Sequence, residues 1–129
     1  MTERSPLAPQ PIDQLRVVAR RGPLTRARRA IAEGRLTVGF TGGSITDGWD
    51  STWPGPVASW LATTFPAVAI TAENAAIGAT GSDSACLRVD QEIIERGCHL
   101  TFVEYAVNDS EKATEQRGRT REGLLRKLL

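Results

Sequence analysis

Three apolar runs alternate with two amphipathic ones in this 129-residue sequence, and this alternation restricts the fold more than any other feature. The runs LTVGF (36–40), AVAITA (67–72) and LTFVEYAV (100–107) are short and partly β-branched, as strands are. Between them, PVASWLATTF and SDSACLRVDQEIIERG carry apolar residues at helical spacing. Strands that are apolar almost throughout and that alternate with helices predict an α/β fold whose parallel sheet is covered on both faces.

The remaining sequence predicts further helices and a flexible end. Apolar residues recur at helical spacing in 12–20, 23–34 and 113–129, whereas the proline-rich residues 1–11 predict a flexible segment. We therefore expect a single α/β domain over residues 12–129. Its predicted core is made of apolar strand residues: Val38, Phe40, Ile70, Phe102, Val103 and Val107.

Charge and cysteine content argue against several classes of protein. Residues 1–35 hold eight arginines and three acidic residues, whereas residues 36–110 hold two arginines and nine acidic residues. An acidic middle repels a phosphate backbone, so we expect no nucleic-acid partner. No window approaches a membrane span, the first residues lack the apolar core of a secretory signal, and Cys86 and Cys98 have no metal-ligand spacing. We therefore expect a cytoplasmic protein with no membrane contact, metal or cofactor.

The glycine-rich segment TGGSITDG (41–48) directly follows the first predicted strand and admits two interpretations. A Walker loop requires a lysine and the dinucleotide fingerprint requires GxGxxG. The segment has neither, although a nest of backbone N–H groups could still bind a small anion. The other interpretation is a tight turn that exposes Ser44 as a nucleophile, with flanking glycines that let a substrate carbonyl approach.

The loops after the second and third strands favour the nucleophile. Ligands of parallel α/β sheets bind at the carboxyl ends of the strands. At that edge the second loop offers backbone N–H groups near Gly78, and the third offers the side-chain amide of Asn108. An acyl-transfer enzyme needs such donors to stabilise the oxyanion. We expect Ser44 Oγ, the N–H groups around Gly78 and the Asn108 amide to converge on one point.

The segments GGSITDG, NAAIGATGS and FVEYAVND together resemble the first three sequence blocks of the SGNH (GDSL-type) hydrolase superfamily, in the same order and at matching spacing. The resemblance covers most of residues 22–129. It implies a flavodoxin-like three-layer α/β/α fold, with strand order 2-1-3 for the part present, and an esterase, lipase or acetyl-hydrolase activity. It also implies that Ser44 is the nucleophile and an oxyanion donor, that Gly78 or Ala79 supplies the second N–H, and that Asn108 supplies the third donor.

The sequence departs from the family pattern at two positions and in one block. Gly43 stands where the family has the Asp of GDS, and Ala106 replaces the Gly of GxND. The late DxxH block, which supplies the family's catalytic Asp and His, has no counterpart in the 129 residues. The only histidine, His99, opens the third strand, at the opposite end of the sheet from Ser44. The resemblance therefore implies a C-terminally incomplete domain that carries the nucleophile and the oxyanion donors without the base.

Two hypotheses about function follow. The first is a serine ester hydrolase for a small acyl ester, of the acyl or acetyl esterase type and similar to members thought to act on acylated carbohydrates. Trp49 and Trp53 either line its substrate pocket or pack over the sheet edge. The chain alone would be inactive, because a carboxylate in an open loop, such as Asp47 or Asp50, is a poor base for a hydroxyl. Its third strand would also expose an apolar edge through which copies could self-associate.

The second hypothesis is a non-enzymatic, flavodoxin-like module that binds a small anion or a partner protein at the glycine-rich loop.

Overall fold

The computed structural model describes residues 22–129, which form a three-stranded sheet and five helices. The strands are β1 (Arg35–Gly42), β2 (Ala69–Asn74) and β3 (Leu100–Glu104). The helices are α1 (Thr25–Ala32), α2 (Pro54–Thr64), α3 (Ser82–Val89, continued by a π-helical turn at Asp90–Ile94), α4 (Ala106–Asp109) and α5 (Thr114–Leu128). The flexible segment predicted at 1–11 and the helix predicted at 12–20 lie outside the described residues.

The sheet has the predicted topology. Both strand pairs are parallel and the order is β2-β1-β3, with Phe40 opposite Asn74 on one side and Phe102 on the other. Because the three strands run in the same direction, the loops that follow them all leave from the same edge of the sheet. This edge carries every residue that the sequence nominates for a catalytic or oxyanion role.

Successive residues of β1 point to opposite faces of the sheet, and helices pack against both faces. Leu36, Val38 and Phe40 point to one face, where they pack against α1 and α2 and where Phe40 stacks on Phe102 with ring centroids 5.3 Å apart. Gly39 points to the other face, where a Cβ would lie only 2.9 Å from Ile93 Cδ1. The glycine thus lets the layer formed by α3 and α5 approach the sheet closely. The α/β/α architecture predicted from the sequence is confirmed.

The predicted core is correct for β1 and wrong for two valines further along the chain. Val38 and Phe40 are fully buried, and Ile70 and Phe102 are half-buried. Val103 and Val107, which were expected in the core, are 38% and 58% exposed. Val103 is exposed because β3 pairs only with β1 among the described residues, and Val107 because it lies on α4 instead of a strand.

The third strand ends three residues earlier than its apolar pattern predicts. At Tyr105 the chain turns away from the strand direction. The phenol of Tyr105 packs in a second core cluster, with Ile93 and Leu124, and its hydroxyl is 2.7 Å from Thr41 Oγ1. Glu104 Oε1 then accepts the Ala106 N–H at 2.9 Å, at the start of α4. Asn108 is therefore carried by a short helix, whose start is tied to β1 through Tyr105.

An apolar surface runs along the outer edge of β3. Val103, Leu125 and Leu129 are exposed there, beside two pockets of about 300 and 1140 Å³. No helix within residues 22–129 has both the length and the apolar character that crossing a membrane requires.

Candidate active site

The loop after β1 is a tight turn that exposes Ser44. The N–H groups of Thr46 and Asp47 both donate to Gly43 O, at 3.0 and 2.9 Å. The turn leaves the Ser44 side chain in solvent, while Gly43 and Thr46 on either side of it are buried. Within the described part of the chain the Ser44 N–H donates to no other group, so it is free to bind a ligand.

Two neighbouring side chains fix this loop. Asn74, the last residue of β2, donates from Nδ2 to Thr46 O at 3.0 Å and to Gly48 O at 2.7 Å. Trp53 Nε1 donates to Thr46 Oγ1 at 3.1 Å. Asn74 is not among the residues that the sequence nominates. An amide at the carboxyl end of a strand beside the glycine-rich loop is the signal that could have found it.

Asn108 lies against the same loop from the β3 side. A Cβ placed on Gly43 would be 2.6 Å from Asn108 Oδ1, so the amide packs directly on the Gly43 backbone. Any larger residue at position 43 would displace it. The Asn108 amide itself forms no hydrogen bond with the rest of residues 22–129, which leaves its N–H groups free to donate beside Ser44.

The neighbouring residue, Asp109, anchors α4. Its carboxylate is fully buried and accepts hydrogen bonds from the Ser82 N–H at 3.0 Å and from Arg121 Nε at 3.0 Å, with Lys112 Nζ at 3.3 Å. Burial alone would raise the pKa of Asp109, but the hydrogen bonds from Ser82, Arg121 and Lys112 outweigh it and lower the pKa to about 2. Asp109 also supplies the acceptor at the start of α3. The N-cap residue of that helix, Gly81, has no side chain that could do so.

The loop after β2 approaches Ser44 through a turn at 77–80. The Thr80 N–H donates to Ile77 O at 3.3 Å, and Ala79 has a φ of +61°. A Cβ placed on Gly78 would lie 3.9 Å from Ser44 Cβ. The Gly78 N–H donates to Asp47 Oδ2 at 2.9 Å, whereas the Ala79 N–H has no acceptor among residues 22–129. The three loops thus meet around Ser44.

The two tryptophans nominated for the pocket differ in position. Trp53 is half-buried and packs edge-on against Phe40, with centroids 5.3 Å apart, so it belongs largely to the core. Trp49 is 39% exposed beside the Ser44 loop, and its ring also packs edge-on against Phe40, with centroids 6.2 Å apart. Trp49 is the one of the two that a ligand can reach.

His99 lies at the far edge of the sheet. Its Nδ1 accepts the Thr37 N–H at 3.0 Å, and Thr37 precedes Gly42 by five strand positions, or about 17 Å at about 3.3 Å per residue. The imidazole cannot contact Ser44. Among residues 22–129, no three His, Cys, Asp or Glu side chains are grouped so that they could hold a metal ion.

A polar pocket of about 590 Å³ adjoins Asn108. Its walls come from the 79–81 loop, the first turn of α3 and the residues around α4. They include Thr80, Ser84, Glu111 and an ion pair between Lys112 and Asp83 at 2.5 Å. A ligand in this pocket would meet hydroxyl and charged groups at one end and the free donors of Asn108 and Ala79 at the other.

Comparison with known proteins gives structural matches only. No protein-family model and no curated protein matches the sequence. A two-domain esterase (CEX) active on acetylated mannans, also crystallised with mannopentaose, is 35% identical with a TM-score of 0.71 over 84% of this chain. A lipase/acylhydrolase from Enterococcus faecalis is 18% identical, with a TM-score of 0.56 over 71% of this chain.

The chain has an SGNH-hydrolase-like fold. It spans 31% of the length of the acetylmannan esterase and 51% of that of the lipase/acylhydrolase. The described residues therefore correspond to part of an SGNH-hydrolase-like fold.

Proposed function

We propose that these residues form the nucleophile and oxyanion-hole part of an SGNH-type serine esterase. The observation that supports this most directly is the meeting of three loops at the carboxyl edge of the sheet. Ser44 is exposed there, with the Asn108 amide packed on the preceding residue and the 77–80 turn against its side chain. The N–H groups of Ser44 and Ala79 and the Asn108 amide are free to donate.

In the proposed reaction, Ser44 Oγ attacks the ester carbonyl carbon and its proton passes to a base. The carbonyl oxygen becomes an oxyanion that accepts hydrogen bonds from the Ser44 N–H, the N–H of Ala79 or Gly78, and Asn108 Nδ2. Collapse of the tetrahedral intermediate breaks the bond to the alcohol oxygen, which takes the proton back from the base, and leaves an acyl-serine. Water then attacks the acyl-serine and gives a proton to the same base, and that proton returns to Ser44 Oγ as the acid is released. Preorganised donors of this kind are each worth about 10²–10³ in rate in a serine protease.

The base is not among the residues that meet at this edge. His99 lies at the other end of the sheet, with its Nδ1 already bonded to the Thr37 N–H. We therefore place the histidine that accepts the Ser44 proton outside these 129 residues. The chain alone should hydrolyse aryl acetates barely or not at all.

A carbohydrate that carries a small acyl group, such as acetyl, is the substrate class we favour. A structure 35% identical to this chain belongs to an esterase active on acetylated mannans. The polar walls of the pocket beside Asn108 suit a polyhydroxylated alcohol better than a lipid chain, and the exposed Trp49 ring offers a face on which a sugar can stack.

A hybrid enzyme tests the proposal. Residues 22–129 would replace the matching part of the acetylmannan esterase, which supplies the rest of the fold. We expect the hybrid to release acetate from acetylated manno-oligosaccharides and to prefer aryl acetate over long-chain aryl esters. Ser44→Ala should lower kcat at least 10³-fold, whereas Ser59→Ala, on the exposed face of α2, should leave it unchanged.

A second pair of variants examines the Asn108 contact. Gly43→Ala places a methyl group where the Asn108 amide lies, and we expect a loss of at least tenfold in kcat. Gly118→Ala, in open space on α5, is the matched control and should leave kcat unaltered. A folded hybrid whose turnover survives Ser44→Ala would contradict the proposal. A folded but inactive hybrid that binds an anion at the glycine-rich loop would favour the binding-module hypothesis.

A further inference from the structure

The geometry points to Asp47 as a positioning residue of the oxyanion hole, one that assigns the second donor to Ala79 instead of Gly78. This inference rests on the proposed function and concerns the same site. It starts from one contact across the site, the hydrogen bond from the Gly78 N–H to Asp47 Oδ2 at 2.9 Å.

That contact removes Gly78 as a donor. Its N–H is engaged by a carboxylate, and an oxyanion that replaced this acceptor would have to lie beside a like charge. The next N–H along the chain, that of Ala79, has no acceptor among residues 22–129. Ala79 is therefore the member of the turn that can donate to a substrate.

The orientation of the Ala79 N–H depends on a backbone conformation that alanine disfavours. The peptide bond between Gly78 and Ala79 is the central one of the 77–80 turn, and the φ of +61° at Ala79 reports which way this peptide faces. Positive φ costs a non-glycine residue about 1 kcal/mol or more. If the peptide flipped, Ala79 would return to negative φ and a carbonyl oxygen would take the place of the N–H.

Asp47 fixes the peptide that directly precedes the Gly78–Ala79 peptide. Its own N–H donates to Gly43 O at 2.9 Å, so its backbone belongs to the turn that presents Ser44. Its carboxylate then accepts the Gly78 N–H, which belongs to the Ile77–Gly78 peptide directly before the strained one. One residue thus ties the backbone that carries the Ser44 N–H to the backbone that carries the Ala79 N–H.

The test does not require an active enzyme. Acetate, the acid that hydrolysis of an acetyl ester releases, can be titrated into the 129-residue chain, and its binding can be measured by NMR. We expect acetate to shift the amide signals of Ser44 and Ala79 and the side-chain amide of Asn108. The informative comparison is between Asp47→Asn and Asp47→Ala. These variants have the same charge, so electrostatic repulsion of acetate is equal in both, and of the two only Asp47→Asn keeps a side-chain oxygen that can accept the Gly78 N–H. Asp47→Asn should bind acetate at least fivefold more tightly than Asp47→Ala.

The same pair of substitutions at Asp50, an exposed residue near the same loop, is the control and should differ by less than twofold. If Asp47→Ala fails to fold, Asp47→Ser, equally neutral and too short to reach Gly78, takes its place. Equal acetate affinity in Asp47→Asn and Asp47→Ala would overturn the role of Asp47 while leaving the proposed esterase intact. Acetate that shifts Gly78 in place of Ala79 would overturn the donor assignment. Acetate that shifts none of these amides in any variant would overturn the oxyanion hole itself, and with it both proposals.

Discussion

The two segments that carry Ser44 and Asn108 meet at one edge of the sheet, but they are anchored by different chemistry. The Asn108 segment is held by an ionised, fully buried carboxylate, that of Asp109, with donors from α3 and α5. The Ser44 loop is held by neutral groups, the amide of Asn74 and the indole of Trp53. Of these two anchors, the carboxylate of Asp109 responds to pH, whereas the Asn74 amide and the Trp53 indole do not.

The two anchors also differ in how much of the domain they connect. Asp109 connects α4 to the N-terminus of α3 and to α5, so its loss disturbs the packing of three helices. Asn74 connects only two adjacent loops. Substitution of Asp109 should destabilise the whole domain, whereas substitution of Asn74 should affect only the loops at the edge of the sheet.

The largest expected effect comes from Asp109→Asn. The amide keeps the size of the carboxylate but loses its charge and turns hydrogens toward groups that also donate, so Arg121 and Lys112 lose their buried partner. We expect the free energy of unfolding to fall by about 3 kcal/mol, the lower end of the cost of breaking a buried ion pair. Urea denaturation measures this. Asp50→Asn is the control, and a loss below about 1 kcal/mol for Asp109→Asn would mean that the buried charge is not the anchor.

Lowering the pH should give the next largest change in the free energy of unfolding. The pKa of Asp109 is about 2 in the folded chain and close to 4 in an unfolded one, so its contribution is complete above pH 4 and disappears as the pH falls toward 2. A difference of almost two pKa units corresponds to about 2 kcal/mol. Unfolding free energies between pH 2 and pH 6 should show this loss in the native chain. If Asp109→Asn loses as much over the same range, the acid sensitivity arises elsewhere.

Asn74→Ala gives the smallest effect. The substitution removes two hydrogen bonds to the Ser44 loop and a third from the Ala76 N–H, all at a partly exposed site, and should cost about 1 kcal/mol. The cost should be the same at pH 3 and pH 6. Hydrogen exchange should accelerate at Thr46 and Asp47 and remain unchanged at Ser82. Acceleration at both places would show that the two anchors are not independent.

The sequence predicts the sheet well because its strands carry a strong local signal. LTVGF and AVAITA are apolar and β-branched, and the helices between them allow only a parallel arrangement, which the structure confirms. The end of β3 could not be predicted in this way. YAV continues the apolar pattern, and only the contact of Tyr105 with Thr41, 64 residues away, shows that the chain turns there.

The candidate site, too, can be predicted from the sequence only in part. That Ser44, Gly78 and Asn108 lie at one edge of the sheet can be predicted from the sequence, because each follows a strand of a parallel sheet and the carboxyl ends of such strands share an edge. The contacts that fix them, from Asn74 to the Ser44 loop and from Asp109 to Ser82, join residues 26 or more positions apart. Such contacts depend on rotamers and on the register of neighbouring elements, which no local pattern encodes.

Trp53 links the Ser44 loop to the hydrophobic core. Its indole contacts Phe40 and Phe102 on one side and holds Thr46 Oγ1 on the other. Phe40 is fully buried, so a change of volume there would tilt the indole and shift the turn that presents Ser44. Substitutions in the core beside Trp53 should therefore also affect the Ser44 loop, and a search for stabilising variants should leave the aromatic group around Trp53 unaltered.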